Sequence, residues 1–498
     1  MNDQTTKLVI LGLYLLLMLV IGFMTAKKTK DFSDYILGGR KLGKWSTALS
    51  AQASDMSGWL LLGLPGAIYL TGMVEAWVAI GLALGTYFNW KVIARRLRIY
   101  TETAGNSLTI PDFLENRFAD KTRVLRTIPA LVIIFFFAVY TSSQFAAGAK
   151  LFSSILNMEY QHALIIGSIV IIGYTLLGGF LAVTFTDVIQ GILMFLALII
   201  VPIYALLTLG GFETIASNAT AIDANFLNLF KTMGGNGVSL IAIFSGLAWG
   251  LGYCGQPHIL ARFMAIEKPD QLKASRRIAC VWVAITLVAS VFVGVIGRTY
   301  FTSQLADPEY VFMYMVDGMF PAVIAGVFLA AILAASMSTA DSQLLVTTSS
   351  IAEDIYKPFS KKEVSDKKLL SISRIALAIV AVIAVVIAWN PNSSVFGLVS
   401  YAWAGLGASF GPVILVSLFW KRMNKEGAIA GMAIGALTVI VWNLLESRFP
   451  SVSLFGLYEL LPAFILSIVA IFAVSKLTKE PEQSVLDTFD EAQAKIKA

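Results

Sequence analysis

"LSAQASDMSGWLLLGLPGA", residues 49–67, reads as the middle of a membrane helix, except that it contains Asp55. A carboxylate near the centre of an apolar span costs about 2.5–3.5 kcal/mol on insertion scales, so such a residue ordinarily faces a cavity and carries a function. The structural alternative is a satisfied Asp that ties helices together. Ser54, Ser57, Gly58 and the neighbouring alanines favour the first reading. They would let a helix unwind locally and turn carbonyl oxygens inward, which suits a hard cation seeking backbone, hydroxyl and carboxylate oxygens.

The surrounding chain supports a membrane setting. Of 498 residues, 57% are apolar and only 14% charged, with a mean hydropathy of +0.77. Soluble domains carry about 25% charged residues, so the expected class is an all-α integral membrane protein. The net charge of +6 and pI near 9.1 do not indicate nucleic-acid binding, because the basic residues fall in short segments between apolar runs. Cys254 and Cys280 lie inside apolar runs and read as packing residues, and His162 and His258 are isolated.

A span needs about 20 mainly apolar residues. Thirteen candidates are centred near residues 17, 57, 83, 138, 170, 198, 247, 287, 334, 379, 407, 436 and 465. Segments after the odd-numbered spans hold 32 of the 37 Lys and Arg residues; the others are Lys7, Lys150, Lys231, Arg298 and Arg448. The positive-inside rule then places the N-terminus outside and the C-terminus in the cytoplasm. The first run reads as a retained helix, since Lys27, Lys28 and Lys30 follow it, the reverse of a cleaved signal. One transmembrane domain is expected over residues 1–476, with a cytoplasmic tail, partly helical or mobile, over 477–498. Short surface helices are expected between Lys91 and Arg126.

Several enzyme and pump signatures fail. Gly250, Gly252 and Gly255 spell G-x-G-x-x-G, but inside an apolar span with no preceding strand. No phosphate-binding loop of the G-x-x-x-x-G-K-[ST] type occurs, which excludes ATP-driven pumping by this chain, and neither H-E-x-x-H nor G-x-S-x-G is present. The glycines of "SGLAWGLGYCGQPHILARF" (245–263) and Pro257 weaken a continuous helix. Close helix packing through small residues is one reading. A broken helix lining a cavity is favoured, because Trp249 and Tyr253 are interleaved with the glycines.

In "AAILAASMSTADSQLL" (330–345), Ala335, Ser338 and Thr339 share a helical face at i, i+3 and i+4. That face offers a carbonyl and two hydroxyls, all neutral, as a weakly held monovalent cation requires, although Ser and Thr also serve as packing residues in spans. Asp187, at the start of the sixth span, is either an N-cap or an ion-release site. Arg40 is either a topology determinant or a gate charge, and Asp341, within a turn of Thr339, would belong to the same exit path.

Together with "YILGGRKLGKWSTALSAQASDMSGWLLLGLPGA" (35–67), "AWGLGY" (248–253), "GQPHILARFMA" (255–265) and "GLVSYAWAGLGASFGP" (397–412), these segments resemble the sodium/solute symporter family, and within it the bacterial members that carry proline. The resemblance runs from residue 6 to about 475. It implies a LeuT-like core of two inverted five-helix repeats, approximately 44–209 and 236–419, each opening with a broken helix. It implies a co-transported sodium ion held by carbonyls of Ala53, Met56 and Ala335 and the hydroxyls of Ser338 and Thr339, with Asp55 supporting the site and Asp187 serving ion passage. Ser57, Gly58, Trp59, Tyr140, Trp249, Tyr253 and Pro257 would bind L-proline or a similar small solute. The implied location is a bacterial plasma membrane.

A small zwitterion suits such a set: its carboxylate can approach N–H groups freed at a broken helix, and its ring can pack on aromatic faces. A sugar would need many more polar partners. Gln144 departs from the small residue expected there, which implies either an altered substrate preference or a bond to a neighbouring helix. A solute sensor is disfavoured by the short tail, and a channel by the lack of a ring-like repeat.

Overall fold

A computed structural model describes residues 2–26, 31–175 and 179–497. The charges of Lys27, Lys28 and Lys30, used above to orient the first helix, lie outside the described residues. Among the described residues the chain is helical throughout, with two isolated β-bridges in place of any sheet. Among the described residues, nine helices are long and apolar enough to cross a bilayer, and three shorter apolar ones accompany them. Of the thirteen centres read from the sequence, twelve fall within helices; the one at residue 57 falls on a helix break.

The elements that position the site are α1 (Asp3–Ala26), α2 (Lys44–Asp55), α3 (Leu64–Thr71), α4 (Ala76–Phe88), α5 (Ala94–Thr103), α6 (Ile110–Arg117), α7 (Val124–Leu156), α8 (Tyr160–Thr175) and α9 (Phe180–Thr208). The second half follows with α10 (Leu240–Gly252), α11 (Pro257–Ala265), α12 (Leu272–Tyr300), α13 (Ala322–Ser349), α14 (Asp366–Ile387), α15 (Val395–Phe419), α16 (Lys425–Arg448), α17 (Leu460–Leu477) and α18 (Gln483–Lys497). The end of the bundle carrying Lys41, Arg95, Arg126 and Arg422 is called here the basic end.

Two interrupted helices lie at the centre. α2 stops at Asp55 and resumes through a wide turn, Trp59–Gly63, into α3; α10 tightens at Tyr253–Gly255 and gives way to α11 after an extended Gln256. Their basic-end halves are joined: Leu42 N–H donates to Ala265 O (3.1 Å) and Glu267 N–H to Leu42 O (3.0 Å). At the other end, Glu309 accepts from Ser394 Oγ (2.8 Å) and from the Val395 and Phe396 N–H groups (both 3.0 Å). Those N–H groups begin α15, where a carboxylate offsets the helix dipole. Lys150 Nζ, on α7, bonds both Glu309 and Asp307 at 2.6 Å and ties a third element to that end.

The glycine-rich part of α10 is a packing surface. A Cβ at Gly250 would lie 2.2 Å from Gly81 O, and one at Gly85 would lie 2.1 Å from Gly250 O, so α4 and α10 meet backbone to backbone. Gly255 meets α15 in the same way, 2.6 Å from Gly411 N. From sequence alone, a cavity-lining break is the favoured explanation of these glycines. The break is real but comes after them, at Gln256, and close packing of the kind small residues allow accounts for the glycines themselves.

The tail is likewise firmer than expected. α18 is an amphipathic helix docked at the basic end, with Phe489 and Ala492 buried. The Phe489 ring lies 6.0 Å from Tyr100 and 5.2 Å from the Arg117 guanidinium, and Gln493 Nε2 donates to Leu418 O (3.0 Å). The short helices α5 and α6 that receive it are those expected between Lys91 and Arg126.

Gly85→Val forces side-chain atoms into the α4–α10 contact, an overpacking that costs about 1–3 kcal/mol. Thermal unfolding of the purified protein is expected to show a clear loss of stability, whereas Gly12→Ala, with open space around the added methyl, leaves it unchanged.

Candidate functional site

At the end of α2 the backbone departs from the helix at Met56 (φ −76°, ψ 73°). The Ser57 N–H turns back to Asp55 O (2.8 Å) and leaves Ala53 O, its helical partner, for another donor. That donor comes from α13. Ser338 Oγ lies 2.7 Å and Thr339 Oγ1 3.4 Å from Ala53 O, and Ser338 Oγ is also 3.2 Å from Ala335 O. The helical face read from spacing therefore meets the break in α2, and two carbonyl and two hydroxyl oxygens converge there, fully buried.

Asp55 stands beside this group with no solvent exposure, and neither carboxylate oxygen accepts a hydrogen bond. The nearby Tyr253 hydroxyl is engaged by Gln52 Oε1 (3.0 Å). A buried charge without donors or a counter-charge is among the most costly arrangements in a protein. A proton or a bound cation would relieve that cost.

The aromatic residues gather on the other side of the same break. Trp59 Nε1 (3.2 Å) and Tyr140 Oη (3.5 Å) both donate to Asp55 O, while Trp59 and Trp249 meet edge to face at 5.1 Å. The end of α10 is held by side chains: Trp403 Nε1 donates to Trp249 O (2.9 Å) and Asn89 Nδ2 to Tyr253 O (2.9 Å). Gly58 N–H donates to Gln144 Oε1 (3.1 Å). Of the two readings of Gln144, the bond to a neighbouring element is present, and it falls on an N–H released by the break. Pro257 sits apart from the aromatics and lines a small cavity with Ile36, Leu108 and Leu345.

Asp187 is not a helix cap. α9 begins at Phe180 with Gly179 in the capping position, so Asp187 lies two turns inside, fully buried. Its Oδ2 accepts from Ser50 Oγ (2.6 Å) and Arg262 Nη2 (3.2 Å), and Arg262 also donates to Ser50 Oγ (3.1 Å) and Ser342 Oγ (2.5 Å). This ion pair joins α2, α9, α11 and α13 on the basic-end side of Ser338. Asp341, next to Ser342, accepts a hydrogen bond from Thr175 Oγ1, and its Oδ2 has no partner. Arg40 bridges two segments, the 106–107 loop through Asn106 Oδ1 (3.0 Å) and Ser107 O (2.7 Å), and the end of α11 through Met264 O (2.6 Å).

Ser50, Gln52, Arg262 and Ser342 escaped the sequence reading. Arg262 was counted with the loop charges, although its position five residues after a helix-starting Pro257 is a signal that it lies inside α11.

The chain matches the model of the Sodium:solute symporter family over residues 35–435. It is 50% identical over 480 residues to the high-affinity proline transporter PutP of Bacillus subtilis, covering 96% of this chain and 99% of that one. It is 47% identical over 501 residues to the sodium/proline symporter of Escherichia coli, covering 99% and 97%. Among solved structures, a Na+-coupled sialic acid symporter in a substrate-bound outward-open state superposes with a TM-score of 0.79 at 18% identity, covering 96% of this chain and 99% of that one. A nucleobase-cation-symport-1 family transporter matches with a TM-score of 0.55 at 16% identity, covering 92% and 98%. These two likenesses establish the shared fold.

Removing one member of a buried ion pair costs about 3–5 kcal/mol, while replacing both with apolar or neutral groups is far milder. Arg262→Met is therefore expected to lower thermal stability sharply, and Asp187→Asn added to it is expected to recover at least half the loss.

Proposed function

The chain belongs to the sodium:solute symporter family, and from that premise we propose that it couples inward flow of sodium to uptake of L-proline by alternating access. The observation that carries the proposal is Asp55: a fully buried carboxylate without hydrogen-bond donors, at a helix break where the Ala53 carbonyl meets two hydroxyls of α13. Sodium is the transported cargo. The carbonyls of Ala53, Met56 and Ala335 and the hydroxyls of Ser338 and Thr339 are its ligands, and Asp55 supplies the charge that favours its entry. Because the ligands are neutral, the ion is held weakly enough to leave.

Proline occupies the aromatic side of the break. Its carboxylate seeks the N–H groups around Ser57 and Gly58, where Gln144 Oε1 now accepts, and its ring packs against Trp59, Tyr140, Trp249 and Tyr253. Gln144 thus competes with the carboxylate, and proline must displace it or share its amide. Pro257 contributes indirectly, by ending the extended Gln256 and setting the direction of α11. The named relatives carry proline, which makes it the first substrate to test.

The sodium path continues from Ser338 and Thr339 past Asp187 and Asp341 toward the basic end, with Arg40 at its mouth. Parting the Arg262–Asp187 pair opens it. The thirteen spans read from the sequence, taken with the positive-inside rule, support a basic end in the cytoplasm of a bacterial cell and an N-terminus outside. The inverted repeats, about 44–209 and 236–419, rock around the midplane site. Each sodium entering with the membrane potential brings about 2.3 kcal/mol per 100 mV to proline accumulation.

Purified protein in proteoliposomes is expected to accumulate labelled L-proline above equilibrium under an inward sodium gradient and not with potassium in its place. Absence of uptake in intact vesicles holding folded protein would contradict proline as the substrate. Asp55→Asn is expected to raise the sodium concentration for half-maximal uptake by about tenfold or more, the equivalent of about 1.4 kcal/mol of lost binding, and Thr339→Ala by a few-fold. Unchanged sodium dependence in both would refute the ion site. Trp249→Ala is expected to raise the proline concentration for half-maximal uptake while sodium activation stays near that of the parent.

A further inference from the structure

A pocket with charged side chains in its walls lies away from the transport pathway, at the basic end between α4–α5 and the start of α12. It encloses about 400 Å³, and its walls include Trp90, Lys91, Arg95, Asp270, Lys273 and Arg276. Four cations face one carboxylate there, and that carboxylate, Asp270, is highly exposed and 3.6 Å from Arg95. Lys91 Nζ and Arg276 Cζ both stand over the Tyr87 ring, at 5.3 and 5.7 Å, held by a π face in place of an acid. Trp90 lines the same pocket, only 2% exposed, and its indole N–H has no hydrogen-bond partner.

Topology alone explains basic residues at this end of the bundle, but it requires neither a pocket nor a buried indole donor without an acceptor. A phosphate group answers both. Its oxygens accept from Trp90 Nε1, and its charge balances Lys91, Lys273 and Arg276. The surface beside the pocket identifies the carrier of that phosphate. Within about two turns of the cations on the same two helices, Leu84 (63% exposed), Phe88 (41%) and Val281 (60%) form an apolar surface, and Tyr87 stands at its edge as interfacial aromatics do. A free phosphate could use only the pocket and leaves the apolar surface unused. A lipid uses both surfaces, with its headgroup in the pocket and its chains along α4 and α12. We infer that this pocket is a binding site for the phosphate of an anionic phospholipid, a site separate from the transport pathway.

The test is native mass spectrometry of the full-length protein in detergent, titrated with phosphatidylglycerol, phosphatidylcholine or inorganic phosphate. The parent protein is expected to retain phosphatidylglycerol in clear preference to phosphatidylcholine. Lys273→Gln with Arg276→Gln should weaken that retention by about tenfold or more, since each basic residue near an anionic headgroup contributes about 1 kcal/mol. Trp90→Phe keeps the ring and removes only the donor; a few-fold weakening is expected, and this variant decides the matter if the double variant does not fold. Lys361→Gln with Lys362→Gln, exposed cations elsewhere on the chain, should leave retention unchanged. Equal retention of the two lipids by the parent, or parent-like retention in the pocket variants, would overturn the site. Displacement of the lipid by millimolar inorganic phosphate would overturn the lipid as its ligand.

Discussion

The fold is organised around the release of one carbonyl. Where α2 breaks, Ser57 N–H satisfies Asp55 O, and Ala53 O is left for α13. A backbone oxygen inside an apolar bundle must find a partner, so the break and the hydroxyl face of α13 depend on each other. Replacing both Ser338 and Thr339 with aliphatic residues would remove both hydroxyl donors to that carbonyl. The same break brings Asp55 beside these oxygens and frees the Gly58 N–H that Gln144 now receives. The oxygens that meet α13 and the N–H group that meets Gln144 are therefore two sides of a single interruption of the backbone.

The elements around this centre hold it at both ends. At the basic end, the Arg262–Asp187 pair gathers four helices through two serines, and the docked α18 packs its Phe489 against Tyr100 of α5 and the Arg117 guanidinium of α6. At the opposite end, Glu309 caps α15 and binds Lys150. Both ends are held by hydrogen-bonded charge, whereas α4 and α10 meet along a glycine seam by close backbone contact. Rocking of one part against another is consistent with reversible polar contacts at the ends and permanent packing between.

Much of the centre was legible because its signals are penalties. Asp55 in an apolar run, and a Ser and Thr one turn beyond Ala335, stand out against the cost of burying polar groups, and the two hydroxyls meet the Ala53 carbonyl in the helix that Asp55 ends. What the sequence hid was the partner of each small or charged residue. Gly250 weakens a helix wherever it occurs; only the position of Gly81 reveals that it serves packing. Arg262 carries the same charge as a loop arginine, and Asp187 looks like a cap until α9 is seen to begin two turns earlier. The tail was read as partly mobile because its apolar residues are few, yet Phe489 and Ala492 suffice once α5 and α6 offer a surface.

The central claim, that a sodium ion is held where Ala53 meets α13, is tested most directly by equilibrium binding of radiolabelled sodium to the purified protein. Saturable binding is predicted for the parent and for Trp249→Ala. The double variant Ser338→Ala/Thr339→Ala is predicted to bind sodium more weakly by more than about tenfold. Parent-like sodium binding in that double variant, with its fold intact, would contradict the account.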